Sequence, residues 1–438
     1  MNMYKYLSIM AEQIRCKRAC PMVIKELKDH IEEQRDDYIA EGMTIQEAEE
    51  EAVRQMGDPI EVGVSLDRIH RPKMEWKLLI YIFLLSILGL GLQIFMQINA
   101  ASLLGTDNKM PVIRQCLCMI LGIAVMLIIC YLDYSSIGKY ARGIWFLILA
   151  GMLLYRHFGH IVNGGYPKIN FFTYAFIPVY AGILYYYRGK ELVGLVKSKI
   201  FLAVSVLAVL NMSTIVPACI LLIIETALLN LAVYKGWFGT RKCRLFFTIW
   251  GSAAVIFVMA FLMLLSANRI TCGADGFSLT EVYQMDRIQS FLHPKESVYY
   301  QTSVEMISDA ANMFKNGGEA TALEWVMDVR GEFLWVCIFK YLGNHAGIIC
   351  TALIVGMLIY LCIIVARQKN RLGCMMGLGC TLLIILQVFL YIGMNFGYVA
   401  SSNVFMPFLS FGGTNLLIIY IYMGLILSIC RNSNIVNN

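Results

Sequence analysis

The sequence predicts an all-α, polytopic membrane protein of about ten transmembrane helices, preceded by a small soluble helical domain. Hydrophobic residues make up 58% of the 438 residues and charged residues only 15%, which is far from ordinary globular usage. Charge is concentrated in the first 75 residues, whereas the remainder consists of apolar runs separated by short basic clusters. We therefore expect a helical prefix at residues 1–72 and a membrane domain at 73–438.

Net charge and cysteine usage exclude several classes of function. The formal charge of +6 falls mostly in loops beside apolar runs, so it favours membrane orientation and predicts no nucleic-acid partner. Most of the 14 cysteines lie in or beside apolar runs, where they are expected to act as small hydrophobic residues. Cys16 and Cys20 have no second Cys or His pair, so no zinc site is expected. Without a cleavable leader pattern, the first span should serve as its own insertion signal.

The prefix shows the local signals of three or four short amphipathic helices between residues 4 and 70. Gly42 and Gly57 are expected to end helices. Thr44 and Glu47 have the spacing of a capping box, and Asp58-Pro59 is a typical helix start, with the acid as cap. The pattern indicates a folded helical module without chemistry of its own.

This prefix resembles the domain fused to permease-like and cell-cycle membrane proteins of Firmicutes. The matching stretches are Ile14–Lys17, His30–Glu32, Gly42-Met43, Met56–Pro59 and Ile69–Pro72. The resemblance implies a Gram-positive source and a regulatory or partner-sensing role for the prefix.

Apolar runs of about 20 residues are long enough to cross about 30 Å of hydrocarbon as helices. Eight such spans are predicted at Leu78–Met96, Val112–Leu132, Ile144–Tyr155, Phe171–Tyr187, Phe246–Leu265, Ile348–Ala366, Met375–Met394 and Leu416–Cys430. The run from Ile200 to Tyr234 has basic residues at both ends, so both ends are expected on the cytoplasmic side. It is therefore predicted to form a tight hairpin of two spans that turns near Asn211–Thr214, which brings the total to ten.

Basic residues also set the orientation of the whole membrane domain. With the prefix in the cytoplasm, seventeen Lys and Arg residues fall in short inside loops and four in short outside loops. Both termini are then cytoplasmic. The long segment 266–347, between the seventh and eighth spans, is expected outside the cell and is the natural place for chemistry.

A helix-breaking stretch, Met406–Thr414, precedes the last span and contains Pro407, Gly412 and Gly413. Such a break leaves unpaired N–H groups beside a helix N-terminus, where an anion is favoured. From the spacing alone, a plain turn that lets a re-entrant loop enter the bundle is the favoured interpretation.

The same stretch is similar to the Pro-Phe-(Ile/Leu)-Ser-(Tyr/Phe)-Gly-Gly-Ser motif of the shape, elongation, division and sporulation (SEDS) family. Further matches are Leu132–Tyr134, Asn163–Gly165, Arg287, Pro294, Tyr300-Gln301, Gly424 and Ser428. The resemblance implies ten spans with a large loop before the eighth, in agreement with the count from hydropathy.

The resemblance also implies a function, namely a peptidoglycan glycosyltransferase that polymerises lipid II on the outer face of the cytoplasmic membrane in cell division, cell shape or sporulation. Lipid II is the undecaprenyl-pyrophosphate-linked disaccharide-pentapeptide. The family's Thr-Asp-Phe-Ile motif matches Arg330–Trp335, which puts Glu332 in the place of the catalytic acid. The residues implied to bind substrate are Arg287, Arg330, Asn163, Gly164, Pro407, Ser410, Gly412 and Gly413.

The implied partners are lipid II, membrane lipid and a class B penicillin-binding protein. A divalent cation, Mg²⁺ or Mn²⁺, is the one cofactor considered, because it would neutralise the leaving pyrophosphate. The sequence identifies no ligands for it.

Departures from the family pattern keep other functions open. Glu332 replaces Asp, Gly331 replaces Thr, and Lys340 and Tyr341 replace paired acids. One alternative is a catalytically degenerate member that scaffolds a penicillin-binding protein or a division or sporulation complex. Another is a lipid-linked substrate transporter, although the chain of intramembrane acids and bases expected of an ion-coupled carrier is missing. Glu225, near the middle of the sixth span, is expected either to contact substrate or to bond a neighbouring hydroxyl.

Overall fold

A computed structural model gives the fold of the chain. It describes residues 1–16, 20–104, 110–159, 166, 169–212, 215–239, 250, 251, 254, 331, 333–395 and 404–433. The chain divides into two compact units. One comprises Met1–Glu75 with Gln368–Asn370 and the residues that follow Ser428, and the other comprises Trp76–Arg367 with Arg371–Ser428.

The prefix contains four helices, α1 (Met3–Gln13), α2 (Cys20–Ala40), α3 (Ile45–Gln55) and α4 (Pro59–His70). The capping box is confirmed, since Glu47 N donates to Thr44 Oγ1 and Thr44 N donates to Glu47 Oε2, each at 3.4 Å. Asp58 caps α4 by accepting a hydrogen bond from Ile60 N, with Pro59 in the first turn. Gly42, with φ of 102°, follows α2 as expected.

A hydrophobic core of its own holds the prefix together. Tyr6, Met10, Val23 and Ile31 are buried in it, and Tyr6 Oη donates to Met56 O at 3.3 Å. Burial raises the pKa of Tyr6 above its ordinary value, with a smaller contribution from the charge of Asp58. The prefix therefore has a core and hydrogen bonds that do not depend on the membrane helices.

The membrane domain contains long apolar helices that we label α5 to α13. They are α5 (Trp76–Leu104), α6 (Met110–Tyr131), α7 (Ser135–Phe158), α8 (Ile169–Tyr186), α9 (Glu191–Leu210), α10 (Ile215–Tyr234), α11 (Leu334–Ala366), α12 (Arg371–Asn395) and α13 (Gly413–Arg431). Among the described residues, these nine helices contain spans long and apolar enough to cross a membrane. Apart from residues 250, 251 and 254, the predicted seventh span, Phe246–Leu265, lies outside the described residues. Residues 266–330 of the predicted external loop lie outside them as well.

The predicted hairpin at Ile200–Tyr234 is confirmed as two helices, α9 and α10. However, α9 begins at Glu191 rather than at Ile200, so Lys197 and Lys199 lie within the helix. Long aliphatic side chains let lysines lie within the end of a span while the ammonium group reaches outward. Lys197 Nζ lies 5.9 Å from the centre of the Tyr187 ring, which is consistent with such an outward path.

Helix α8 is the centre of the bundle and packs against α7, α9, α10 and α12. Small residues permit these close approaches, because a β carbon on Gly379 of α12 would lie 2.9 Å from Ile177 Cγ2 of α8. Helix α11 is interrupted at Gly343, where φ is 82°. Its segment before Gly343 begins at Leu334, within the stretch Arg330–Trp335 that resembles the family's acidic motif.

Candidate functional site

The predicted site residues fall into two groups. Glu332, Arg287, Arg330, Asn163 and Gly164 lie outside the described residues, so their roles stay predictions. The structure does describe the helix-breaking stretch before α13, which holds the other four, and the residues on both sides of Glu332.

The loop that contains most of this stretch, residues 404–412, is compact and folds back on itself. Ser410 Oγ accepts a hydrogen bond from Met406 N at 3.0 Å and donates to Met406 O at 3.0 Å. Pro407 opens the turn, and Phe408 has a left-handed conformation with φ of 65°. Phe408 and Leu409 are buried. The Ser410 hydroxyl therefore closes the loop, and a ligand could reach it only through its remaining lone pair.

Two buried glutamines on the first two membrane helices hold this loop. Gln93 Nε2 of α5 donates to Leu409 O at 2.7 Å, and Gly412 N donates to Gln115 Oε1 of α6 at 3.4 Å. Both glutamines are almost fully buried. Buried amides inside apolar spans are costly unless they are bonded, so these contacts fix the loop against α5 and α6.

The loop ends where α13 begins at Gly413, with Leu416 N donating to Gly412 O at 2.9 Å. The preceding N–H groups of Gly413, Thr414 and Asn415 have no acceptor within the helix. A β carbon on Gly413 would lie 2.7 Å from Cys118 Sγ, which explains the need for a small residue there. The prediction of unpaired N–H groups at a helix N-terminus thus has a structural basis.

The backbone beside Glu332 is held by α12. Tyr391 Oη donates to Gly331 O at 2.8 Å, and Val336 N donates to Asn395 Oδ1 at 3.3 Å. Phe333, which follows Glu332 directly, is buried. Helix α12 therefore bonds the chain at positions just before and shortly after residue 332.

A third residue of α12 bonds the loop before α13. Gln387 Oε1 accepts from Phe405 N at 3.4 Å, while Gln387 Nε2 donates to Tyr174 Oη of α8 at 2.7 Å. Gln387, Tyr391 and Asn395 are spaced four residues apart and so share one face of α12. We call these three residues the α12 polar stripe. It connects the two regions that the sequence predicts as parts of one site.

Comparison with known proteins identifies the membrane domain. Residues 76–435 match the profile of the FtsW/RodA/SpoVE family, described as cell cycle proteins. The chain belongs to this family. Its profile covers every element that builds the loop before α13 and the α12 polar stripe.

Individual members of the FtsW/RodA/SpoVE family match this chain over shorter stretches. FtsW of Idiomarina loihiensis, named a probable peptidoglycan glycosyltransferase, is 26% identical over 161 residues, 34% of this chain and 39% of that protein. The peptidoglycan glycosyltransferase MrdB of Escherichia coli K12 is 25% identical over 183 residues, 40% of this chain and 47% of that protein. The matched region thus spans less than half the length of each of these two relatives.

Solved structures show the same fold over more of the chain. One, from work on the structural coordination of polymerization and crosslinking by a peptidoglycan synthase complex, has a TM-score of 0.59 at 15% identity, covering 82% of this chain and 98% of its own. The crystal structure of the rod shape determining protein RodA of Thermus thermophilus has a TM-score of 0.51 at 13% identity, covering 82% and 97%. The family fold therefore extends through most of the membrane domain.

Sequence reasoning about the family motifs missed the residues that hold the site together. Gln93, Gln115 and Gln387 are polar residues inside predicted apolar spans, and that contrast was the available signal. Glu225 is likewise a polar residue inside a predicted apolar span, but in the part of the chain that the structure describes it does not bond a neighbouring element as the glutamines do. It is fully buried in α10, and among the described residues neither of its carboxylate oxygens has a hydrogen-bond partner. The expected bond to a neighbouring hydroxyl is therefore not observed there.

Proposed function

We propose that this protein is a peptidoglycan glycosyltransferase that polymerises lipid II on the outer face of the cytoplasmic membrane. The observation that carries the proposal is the α12 polar stripe. Its side chains hydrogen-bond both Phe405, in the loop before α13, and the backbone at Gly331, so one helix holds both regions. A site for a large lipid-linked substrate needs such fixed geometry between its parts, because small misplacements cost large factors in rate. The names of the curated relatives support the same activity.

In the proposed reaction, Glu332 acts as the general base. It takes the proton from an acceptor sugar hydroxyl while that oxygen forms a bond to the anomeric carbon of the donor sugar. The bond from that carbon to the pyrophosphate oxygen breaks, and the prenyl pyrophosphate leaves. Arg287 and Arg330 would stabilise the departing negative charge, and Asn163, Gly164 and the motif residues Pro407, Ser410, Gly412 and Gly413 would contact the substrate.

The proposal includes a divalent cation, Mg²⁺ or Mn²⁺, that would neutralise the charge of the leaving pyrophosphate. In the part of the chain that the structure describes, no group of three or more His, Cys, Asp or Glu residues could hold a metal ion. We propose that such an ion would bind together with the pyrophosphate of the substrate.

The proposed setting is a Gram-positive membrane with both termini in the cytoplasm. The bias of basic residues toward the predicted inside loops supports this orientation, and the resemblance of the prefix supports the source. We propose a class B penicillin-binding protein as partner, because a chain of similar fold occurs in a peptidoglycan synthase complex.

The test is lipid II polymerisation by the purified full chain, with a class B penicillin-binding protein and Mg²⁺ present, followed on gels. Wild type should produce glycan strands, and Glu332→Gln should lose on the order of 10² to 10⁴ in rate, as expected for removal of a general base. Glu324→Gln, which removes another acid of the same predicted loop, is the matched control and should polymerise normally.

Two results would change the proposal. Equal polymerisation by wild type and Glu332→Gln would remove Glu332 from the chemistry. Absence of polymer from wild type would favour the scaffold function instead, an alternative that the replacement of the family's Asp and Thr by Glu332 and Gly331 already suggests.

A further inference from the structure

Two asparagines join the beginnings of two membrane helices. Asn170 lies in the first turn of α8 and Asn415 in the first turn of α13. Asn170 Nδ2 donates to Asn415 Oδ1 at 3.3 Å. Because this bond joins the first turns, both helices begin at the same end of the bundle.

Asn170 is 3% exposed, yet its carbonyl oxygen Oδ1 has no hydrogen-bond partner among the described residues. A buried amide oxygen without a partner is costly, so such groups usually have a ligand, a water or a function. The side chain is directed at the first turn of α13 by its bond to Asn415. Its unused acceptor is therefore placed beside that helix start.

The start of α13 supplies hydrogen-bond donors on the Asn415 side of this amide. The first-turn N–H groups of α13 have no intrahelical acceptor, and the aligned dipoles of α8 and α13 add positive potential at the same end. Asn415 Nδ2 lies 3.6 Å from the position that a β carbon on Gly412 would occupy, so the amide is in van der Waals range of the backbone just before α13. One buried acceptor on α8 and the donors at the start of α13 thus lie on helices joined by a side-chain hydrogen bond, a combination that suits a sugar attached to a phosphate.

We propose that Asn170 and Asn415 form a subsite for the glycosyl pyrophosphate of the substrate, an inference that rests on the proposed function. Asn170 Oδ1 accepts a hydrogen bond from a hydroxyl or acetamido N–H of the sugar. Asn415 Nδ2 and the N–H groups at the start of α13 bind the phosphate oxygens. The subsite extends the site predicted from the motif Met406–Thr414 by two residues. Each of the two contacts a different part of the ligand.

Calorimetric binding to the purified full chain separates the two parts, with lipid II and farnesyl pyrophosphate as probes. Asn170→Ala should lower the affinity for lipid II about tenfold, as expected for one lost hydrogen bond. The affinity for farnesyl pyrophosphate should stay within about twofold of wild type. Unchanged lipid II affinity in Asn170→Ala would overturn the sugar contact.

Asn415→Asp tests the phosphate contact in a protein that should stay folded. The carboxylate still accepts the bond from Asn170 Nδ2, and an acid in the first turn of a helix is favourable, so thermal unfolding should not fall below wild type. The added negative charge should lower the affinity for both probes by about tenfold or more. Unchanged affinity for farnesyl pyrophosphate in this variant would overturn the phosphate contact.

Asn230→Ala is the matched control, because it removes a half-buried asparagine near the C-terminal end of α10. It should bind both probes as wild type does. Binding requires no turnover, so the subsite and the proposed function can fail separately. Asn170-dependent lipid II binding without polymer would refute the enzyme and support the subsite. Polymer formation with wild-type affinity in Asn170→Ala would support the enzyme and refute the subsite.

Discussion

The carbonyl oxygen of Phe408 lies against Gly89 of α5, in the space that a side chain at residue 89 would fill. The carbonyl carbon of Phe408 would be 2.9 Å from a β carbon built there. One turn further along α5, Gln93 bonds the next carbonyl, that of Leu409. The loop before α13 thus rests on α5 through direct backbone contact, which only glycine permits.

Gly89→Ala should displace this loop and reduce lipid II polymerisation by at least about tenfold, because the added methyl group overlaps main-chain atoms that cannot move alone. The matched control is Gly91→Ala on the same helix, where a β carbon meets nothing within 4 Å. Gel-based polymerisation assays of both variants, at equal membrane levels, check this. Equal loss in both would point to a general effect of alanine in α5.

Tyr391→Phe should separate positioning from stability. The change removes the bond to Gly331 O and keeps the ring. The free energy of unfolding should therefore fall by about 1 kcal/mol, and the rate of polymerisation should fall about tenfold or more. Tyr180→Phe removes a comparable buried hydroxyl, which bonds Ser198 O, and should lower stability without lowering kcat. If kcat is unchanged in Tyr391→Phe, the bond to Gly331 only supports folding.

Residues 1–72 expressed alone should be soluble and show the circular dichroism of a helical protein, because the core and caps of the prefix are internal to it. Thr44→Ala should lower the free energy of unfolding of this fragment by about 1 kcal/mol through loss of the helix cap. Thr44→Ser keeps the capping oxygen and should be near wild type. A fragment that is unfolded or bound to membranes would contradict the prediction.

The capping box should also make the prefix sensitive to acid. Hydrogen bonds from the Thr44 side chain and backbone lower the pKa of Glu47. A lowered pKa stabilises the folded state above the ordinary Glu value of about 4.3, and this contribution is lost as the pH falls through the lowered pKa. Urea unfolding of the fragment at pH 6 and pH 3 should therefore show less stability at pH 3. Glu47→Gln should reduce that difference, and an equal difference in the variant would exclude Glu47 as its source.

Orientation can be measured by cysteine labelling in intact cells, with the native cysteines replaced. A cysteine at Ser297, in the predicted external loop, should react with a membrane-impermeant maleimide. One at Lys139, in the second turn of α7, should not react. The basic-residue bias underlies both expectations. The reverse labelling pattern would invert the proposed topology.

The sequence by itself determined the fold class, the hairpin of α9 and α10, and the caps of the prefix. These features depend on short stretches of chain: the length of an apolar run, the charges at its ends, or a Thr and a Glu three residues apart. The start of α9 was placed too late for the same reason, since composition alone cannot show that Lys197 and Lys199 lie within a helix that continues into an apolar span.

Only the tertiary structure decided which polar residues meet. Gln93 and Leu409, Tyr391 and Gly331, and Asn170 and Asn415 are far apart in the sequence, and each pair forms because two helices pack with particular faces together. In an apolar span the local pattern does not fix that rotation, because lipid and helix neighbours are equally apolar. Small residues such as Gly89 and the bonding of buried amides select the packed arrangement, and both depend on atoms that approach only in the folded bundle.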